Sequence, residues 1–175
     1  MQLGESARPF SLSGVDGKTY GLEEFAGKPV LAVIFSCNHC PYVQAYEDRL
    51  IRIQRDYGNR GVQLVAINSN DDVHYPEDNL EHMIARAKDR GFNFPYLRDG
   101  SQQVARAYGA THTPQLFVFD QDRRLRYTGK IDDNWQRPEA VTRRYLRDAL
   151  DALLAQRAPA EPITHAIGCT IKWAT

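Results

Sequence analysis

The chain has 175 residues, of which 42% are hydrophobic, and its 22 basic and 22 acidic side chains cancel. This length and charge balance suit one globular domain over residues 1–175 and exclude a strongly basic surface, so we expect no nucleic acid partner. We also expect no membrane association, because the sequence has no apolar run of spanning length and no signal-peptide pattern at its start. Three cysteines, an odd number, favour a reducing compartment, and the expected location is cytoplasmic.

The hydrophobic pattern alternates between buried strands and amphipathic helices along the chain. In order it predicts a hairpin at 10–20, a strand at 30–35, a helix at 42–57, a strand at 62–67, a helix at 76–90, a short strand or loop at 94–97, a helix at 102–108, a strand and hairpin at 115–128 and a helix at 138–156. Strand–helix–strand units pair their strands in parallel, and hairpins add antiparallel strands. The sequence therefore predicts an α/β fold with a mixed central β-sheet, helices on both faces, an N-terminal β-hairpin and an irregular tail over 157–175.

A Cys-x-x-Cys motif, from Cys37 to Cys40, stands between the first buried strand and the first helix. Two thiols that share the first turn of a helix are close enough to form a disulfide. The unpaired N–H groups and the positive end of the helix dipole favour a thiolate at Cys37, and the thiolate is the nucleophile in disulfide exchange. The motif therefore predicts a catalytic redox pair in which Cys37 attacks a substrate disulfide and Cys40 resolves the mixed disulfide.

A metal site is the alternative use of the same two cysteines. Copper(I) or zinc held by Cys37, Cys40 and a histidine would make the chain a metal-handling protein. Zinc usually needs four ligands, however, and the third cysteine lies far along the chain. The histidines outside the motif form no close pair: His74, His82, His112 and His165. We therefore predict that the site uses no metal and no other cofactor.

Several further segments accompany the motif in a specific combination. They are Asn-His-Cys-Pro-Tyr-Val at 38–43, Ala-Ile-Asn-Ser-Asn-Asp at 66–71, Phe-Pro-Tyr-Leu at 94–97, Tyr-Gly-Ala at 108–110 and Gly-Cys-Thr-Ile-Lys-Trp at 168–173. Together they resemble peroxiredoxin-like proteins of the alkyl hydroperoxide reductase/thiol-specific antioxidant (redoxin) family, within the thioredoxin superfamily. The resemblance implies a thioredoxin-like fold in which Pro114 is cis and lies against the cysteines. It also implies that Thr113 offers its backbone to a bound peptide.

Peroxiredoxins of this superfamily carry a Pro-x-x-x-Thr/Ser-x-x-Cys motif, whose hydroxyl orients the peroxide. Before Cys37 the corresponding positions hold Ile34 and Val30, so this motif is absent. We therefore expect a thiol–disulfide oxidoreductase, with a thiol-dependent peroxidase in an antioxidant role as the alternative. The expected partners are a disulfide-bearing protein or small-thiol substrate and an electron donor that the sequence does not identify.

Four residues are expected to support the pair: Asn38, His39, Thr113 and Pro114. His39 stands where oxidising members of the superfamily also have histidine, and its positive charge would stabilise a neighbouring thiolate. A stabilised thiolate stabilises the reduced protein, so we expect a reduction potential above that of ordinary thioredoxins.

The third cysteine, Cys169, leaves two interpretations open. It folds back as a third redox thiol, or it packs as a small apolar residue. We favour packing, which predicts that Cys169→Ser retains activity. The polar run 68–72 after the second buried strand is similarly ambiguous, because it either shapes the rim of the site or forms a solvated, capped turn, the interpretation we favour.

Overall fold

A computed structural model describes residues 1–175 and contains nine strands and four α-helices. The strands are β1 Leu12–Gly14, β2 Thr19–Tyr20, β3 Val30–Ser36, β4 Val62–Asn68, β5 Tyr96–Arg98, β6 His112–Thr113, β7 Gln115–Phe119, β8 Leu125–Gly129 and β9 Cys169–Thr170. The helices are α1 Pro41–Tyr57, α2 Leu80–Arg90, α3 Gln103–Tyr108 and α4 Tyr145–Leu154. None of them combines the length and the apolar character that a bilayer span requires.

Seven strands form the main sheet, in the order β2-β1-β5-β4-β3-β7-β8. Strands β3, β4 and β5 are parallel, as their intervening helices require. Strand β7 runs antiparallel to β3, β8 pairs antiparallel with β7, and the β1–β2 hairpin pairs antiparallel with β5. The predicted mixed sheet with an N-terminal hairpin is therefore confirmed. The remaining strands, β6 and β9, form a separate antiparallel pair.

Strand β3 occupies the centre of the core, and all seven of its residues are buried. Its side chains alternate between two apolar clusters, one on each face of the sheet. Ala32 and Ile34 face the cluster that contains residues of α1, α2 and α4. Val33 and Phe35 face the cluster that contains residues of α3. Because both faces are covered, the strand is rigidly held, and so is the position of Cys37 directly after it.

The last helix begins later than the sequence predicts. Only one 3₁₀ turn forms at Pro138–Ala140, and α4 begins at Tyr145. The carboxylate of Asp133 accepts a hydrogen bond from the N–H of Thr142 at 2.9 Å, and the N–H of Asp133 donates to the carbonyl of Arg143 at 3.1 Å. These bonds hold the segment outside the helix. The prediction of a helix from Pro138 was therefore wrong over its first seven residues.

Candidate active site

The two cysteines of the motif lie where β3 ends and α1 begins. Helix α1 begins at Pro41, so Cys40 is its N-cap residue and Cys37 precedes the helix altogether. The expectation that both thiols share the first helical turn was therefore wrong. Proline at the first helical position explains the boundary, because proline lacks the N–H that a helix interior needs. Both side chains are buried, with 2% of Cys37 and 0% of Cys40 exposed.

Thr113 and Pro114 close one side of the cysteine pair. The Thr113–Pro114 peptide bond is cis, as the resemblance implied. The hydroxyl of Thr113 lies 3.6 Å from Cys37 Sγ, and its carbonyl oxygen lies 3.5 Å from Cys40 Sγ. Thr113 therefore contacts both thiols, one through its side chain and one through its backbone.

The chain's tail returns to the same place and brings the third cysteine with it. Strand β9 pairs antiparallel with β6, so that Cys169 lies opposite Thr113. The Sγ atoms of Cys169 and Cys40 are 2.7 Å apart. All three thiols are free, and they pack with Val43 in one small apolar cluster. Cys169 thus packs against the pair, as expected, but it also makes a direct sulfur contact that simple packing does not require.

The three thiols do not share charge equally. The pKa of Cys40 is lowered to about 4 by a hydrogen bond with the Cys37 thiol, together with bonds from the Cys169 thiol and the Val43 backbone. The same Cys37–Cys40 bond, together with burial and the nearby Asp78 carboxylate, raises the pKa of Cys37. Burial and the contact with Cys40 raise the pKa of Cys169 to about 11. The sequence predicts the thiolate at Cys37, whereas the helix start after Cys40 and the direction of these shifts favour Cys40.

Asp78 is a buried carboxylate on the other side of the pair that sequence reasoning missed. It is fully buried, and its two oxygens accept hydrogen bonds from the Asn38 N–H at 2.7 Å, the Asn70 amide at 3.0 Å and the Asn68 amide at 3.2 Å. A buried charge is tolerated when donors satisfy it in this way. In the sequence Asp78 follows Pro76 and Glu77, a pattern that indicates a helix start and gives no sign of burial.

His39 and Asn38, both expected to support the site, bind this carboxylate and its surroundings. His39 Nδ1 lies 2.6 Å from Asp78 Oδ2, and its ring stacks on Tyr75. The Asn38 side chain accepts a hydrogen bond from the Tyr96 hydroxyl at 2.8 Å and donates to the Glu77 carbonyl at 2.8 Å. Both residues therefore fix the Cys-x-x-Cys loop to the Asp78 side of the site.

The polar run after β4 is buried, so the expectation of a solvated turn was wrong. Asn68, Ser69, Asn70 and Asp71 are all less than a tenth exposed. They connect the Asp78 side of the site to the tail: the side chain of Asn70 accepts from the Lys172 N–H at 2.9 Å, and the Asp71 N–H donates to the Lys172 carbonyl at 2.7 Å.

Metal ligands are partly available at the site. One donor atom each from Cys37, His39 and Asp78 lies within 4.8 Å of the others. These are residue types that bind zinc, but they offer three ligands where structural zinc takes four. The Asp78 carboxylate is already satisfied by three protein donors. The geometry therefore favours thiol chemistry over metal storage.

One open cleft lies away from the cysteines. It has a volume of about 610 Å³ and is lined by residues such as Pro29, Arg60 and Asp120. Pro29 precedes β3, whereas Cys37 follows it, so this cleft is at the opposite end of the strand from the thiols. The candidate site at the cysteines is therefore separate from this cleft and consists of buried sulfur atoms in contact.

The chain is similar to known proteins in sequence. The family model described as Redoxin matches residues 2–146. The thiol-disulfide oxidoreductase ResA of Geobacillus thermodenitrificans is 29% identical over 126 residues, which are 71% of this chain and 67% of that protein. The chain thus spans about two thirds of this relative's length.

Solved structures share the fold over most of the chain. A hypothetical protein from Sinorhizobium meliloti 1021 is 41% identical, with a TM-score of 0.93 over 100% of this chain and 96% of the other. The peroxidoxin BcpB of Mycobacterium tuberculosis is 17% identical, with a TM-score of 0.68 over 89% of this chain and 97% of the other. The second likeness concerns the fold alone.

Proposed function

The chain belongs to the Redoxin family, and from that premise we propose that it is a thiol–disulfide oxidoreductase whose redox pair is Cys37 and Cys40. One observation carries the proposal: the two buried thiols of the Cys-x-x-Cys motif lie beside the cis Thr113–Pro114 bond, and Thr113 contacts both of them. The pKa of one of them, Cys40, is lowered to about 4. A thiolate of this kind is stable at neutral pH and is a good leaving group.

Exchange proceeds through a mixed disulfide. When the oxidised pair meets a substrate thiolate, the Cys37–Cys40 bond breaks, and the electron pair stays on Cys40, whose low pKa favours its departure. A second substrate thiol then releases the reduced protein. In the reverse direction the Cys40 thiolate resolves the mixed disulfide, in agreement with the role that the sequence predicts for it.

The partners follow from this chemistry. The substrate is a protein or small molecule that carries a disulfide or a pair of thiols, and a separate thiol donor or acceptor restores the pair. The odd number of cysteines favours a reducing compartment, and we propose that the protein acts in the cytoplasm.

Peroxide reduction is the second candidate, and one contact favours it. The Thr113 hydroxyl lies 3.6 Å from Cys37 Sγ and offers, from a distant strand, the kind of group that the peroxiredoxin motif supplies locally. Against this, the Pro-x-x-x-Thr/Ser-x-x-Cys motif is absent, with Val30 and Ile34 at its two positions, and the relative that is 29% identical is a thiol-disulfide oxidoreductase. Disulfide exchange is therefore the better supported of the two functions.

The deciding experiment gives the fully reduced protein either insulin, as a protein disulfide, or hydrogen peroxide. We expect insulin reduction in the presence of a thiol donor, a peroxide rate no better than that of a free thiolate, and a Cys37–Cys40 disulfide identified by mass spectrometry. Cys40→Ser is the matched variant and should lose insulin reduction. A peroxide rate orders of magnitude above that of a free thiolate, without insulin reduction, would instead assign the site to a peroxidase.

A further inference from the structure

The edge of the site where an extended peptide would bind is already filled by the chain itself. Thr113 precedes the cis bond, and β9 pairs with its backbone. Gly168 packs so closely that an added Cβ would overlap the Thr113 carbonyl oxygen. The tail therefore sits as a bound peptide strand would sit, with a cysteine directly against the redox pair.

Contacts of residues 171–173 also hold the tail against the rest of the fold. The N–H of Ile171 donates to the carbonyl of Thr111 at 2.9 Å, and the Ile171 side chain is buried in the cluster that contains α3. The amide of Gln102 donates to the Lys172 carbonyl at 2.8 Å, and the Arg106 guanidinium lies 4.4 Å from the centre of the Trp173 ring. Several independent contacts thus hold Cys169 in place next to Cys40.

Exposure differs among the three sulfur-bearing residues. Cys37 and Cys40 are at most 2% exposed, whereas Cys169 is partly exposed. An outside thiol therefore meets Cys169 before it meets either member of the pair.

We propose that Cys169 is a third catalytic thiol, which moves the disulfide from the buried Cys37–Cys40 pair to Cys40–Cys169, where a dithiol partner attacks it. This deepens the proposed function and rests on it. The contact of 2.7 Å between the sulfur atoms of Cys40 and Cys169, and the strand pairing that fixes it, carry the inference.

The exchange balances without any outside oxidant. The Cys169 sulfur bonds to Cys40 Sγ, the Cys37–Cys40 bond breaks, and its electron pair goes to Cys37, which takes up the proton that Cys169 gives up. A partner thiolate then attacks Cys169 Sγ, and Cys40 leaves as a thiolate. A second thiol of the partner displaces Cys169, which gains a proton. The partner dithiol has been oxidised by two electrons, and the protein has been reduced by two.

The first test uses Cys37→Ser, which retains only Cys40 and Cys169, with diamide as the oxidant. We expect a monomer in which Cys40 and Cys169 form an intramolecular disulfide. When this oxidised variant meets reduced glutathione, the adduct should map to Cys169. A variant that keeps both thiols reduced, or an adduct found on Cys40, would overturn the proposal.

Gly168→Val in the same background is the matched variant, because its side chain displaces the tail from Thr113 without removing a thiol. Formation of the Cys40–Cys169 disulfide should slow at least about tenfold, since displacement removes the high local concentration on which intramolecular exchange depends. An unchanged rate would overturn the role of the strand pairing.

Disulfide mapping of the oxidised wild-type chain gives a second measurement. Both the Cys37–Cys40 and the Cys40–Cys169 forms are expected, and finding the first alone would contradict the relay.

These results are separate from those that test the proposed function. If oxidised wild-type protein contained neither disulfide and never reduced insulin, the oxidoreductase assignment itself would fail. If wild-type protein and Cys169→Ser reduced insulin equally through Cys37–Cys40, only the relay would fail.

Discussion

The two sides of the cysteine pair are built in different ways. On one side the Asp78 carboxylate is fully buried and accepts hydrogen bonds from Asn38, Asn68 and Asn70. On the other side the tail contributes Cys169 through a two-residue strand. The first side holds a carboxylate that hydrogen bonds fix in place, and the second holds a sulfur atom that can react. The comparison indicates that the Asp78 side fixes the shape of the site, while the tail side takes part in its chemistry.

The largest expected effect on activity comes from replacing Cys40, because its sulfur takes part in both expected disulfides. Cys40→Ser removes the thiol that forms either disulfide, so insulin reduction should fall to the level of a protein-free control. The matched variant Cys37→Ser blocks the pair but leaves the Cys40–Cys169 contact, so it should still form one intramolecular disulfide. Equal thiol loss on oxidation of the two variants would show that Cys40 is not the shared sulfur.

Loss of the buried carboxylate should be the largest effect on stability. In Asp78→Ala the Asn38 N–H and the amide groups of Asn68 and Asn70 lose their acceptor, and His39 loses the partner of its Nδ1. We expect the free energy of unfolding, measured in urea, to fall by about 3–5 kcal/mol. The adjacent Glu77→Ala is the control: its carboxylate is 45% exposed, so the change should stay within about 0.5 kcal/mol. Similar losses in the two variants would contradict the assignment of Asp78 as the centre of this network.

Replacing Cys169, on the tail side, should change the rate of insulin reduction and not the fold. Cys169→Ser leaves the redox pair and its surroundings in place, so the fold and the Cys37–Cys40 disulfide should survive. Insulin reduction should slow about tenfold or more, because the partner must then reach a buried sulfur atom without an intramolecular intermediate. The rate of insulin reduction at a saturating concentration of the thiol donor, compared with that of the wild-type protein, measures this effect directly. This expectation reverses the one drawn from the sequence, and the sulfur contact at 2.7 Å is the reason.

The two sides also differ in how far the sequence predicts them. Spacing along the chain identifies Cys37 and Cys40, and the family resemblance identifies Pro114, because both signals are local. The contact between Cys40 and Cys169 joins residues 129 positions apart, and no periodicity describes such a contact. The burial of Asp78 depends on donors from two distant segments, the N–H of Asn38 and the side-chain amides of Asn68 and Asn70. Its own neighbours in sequence therefore suggest only a helix start. The overall sheet could be predicted, since alternating buried strands and helices restrict the topology to few arrangements.

Protonation provides a finer test of which thiol carries the charge. The lowered pKa of Cys40 means that one thiolate is present above about pH 4 and is lost as pH falls through that value. The ultraviolet absorbance of the reduced protein should therefore show one thiolate across the neutral range, disappearing near pH 4. In Cys40→Ser this low-pH step should be absent. A step that persists in Cys40→Ser and vanishes in Cys37→Ser would place the thiolate on Cys37 instead.

The smallest expected effect concerns His39, which the sequence placed beside the thiolate as a source of positive charge. In the structure its Nδ1 lies 2.6 Å from Asp78 Oδ2, so the imidazole contacts this carboxylate and not a thiol. His39→Ala should therefore lower the reduction potential, measured by equilibration with glutathione, by no more than about 30 mV, a tenfold change in the equilibrium. His82→Ala, on the exposed face of α2, is the control and should leave the potential unchanged. A much larger decrease for His39→Ala would mean that the imidazole acts on the thiolate directly, and the separation between a fixed and a reactive side of the pair would no longer hold.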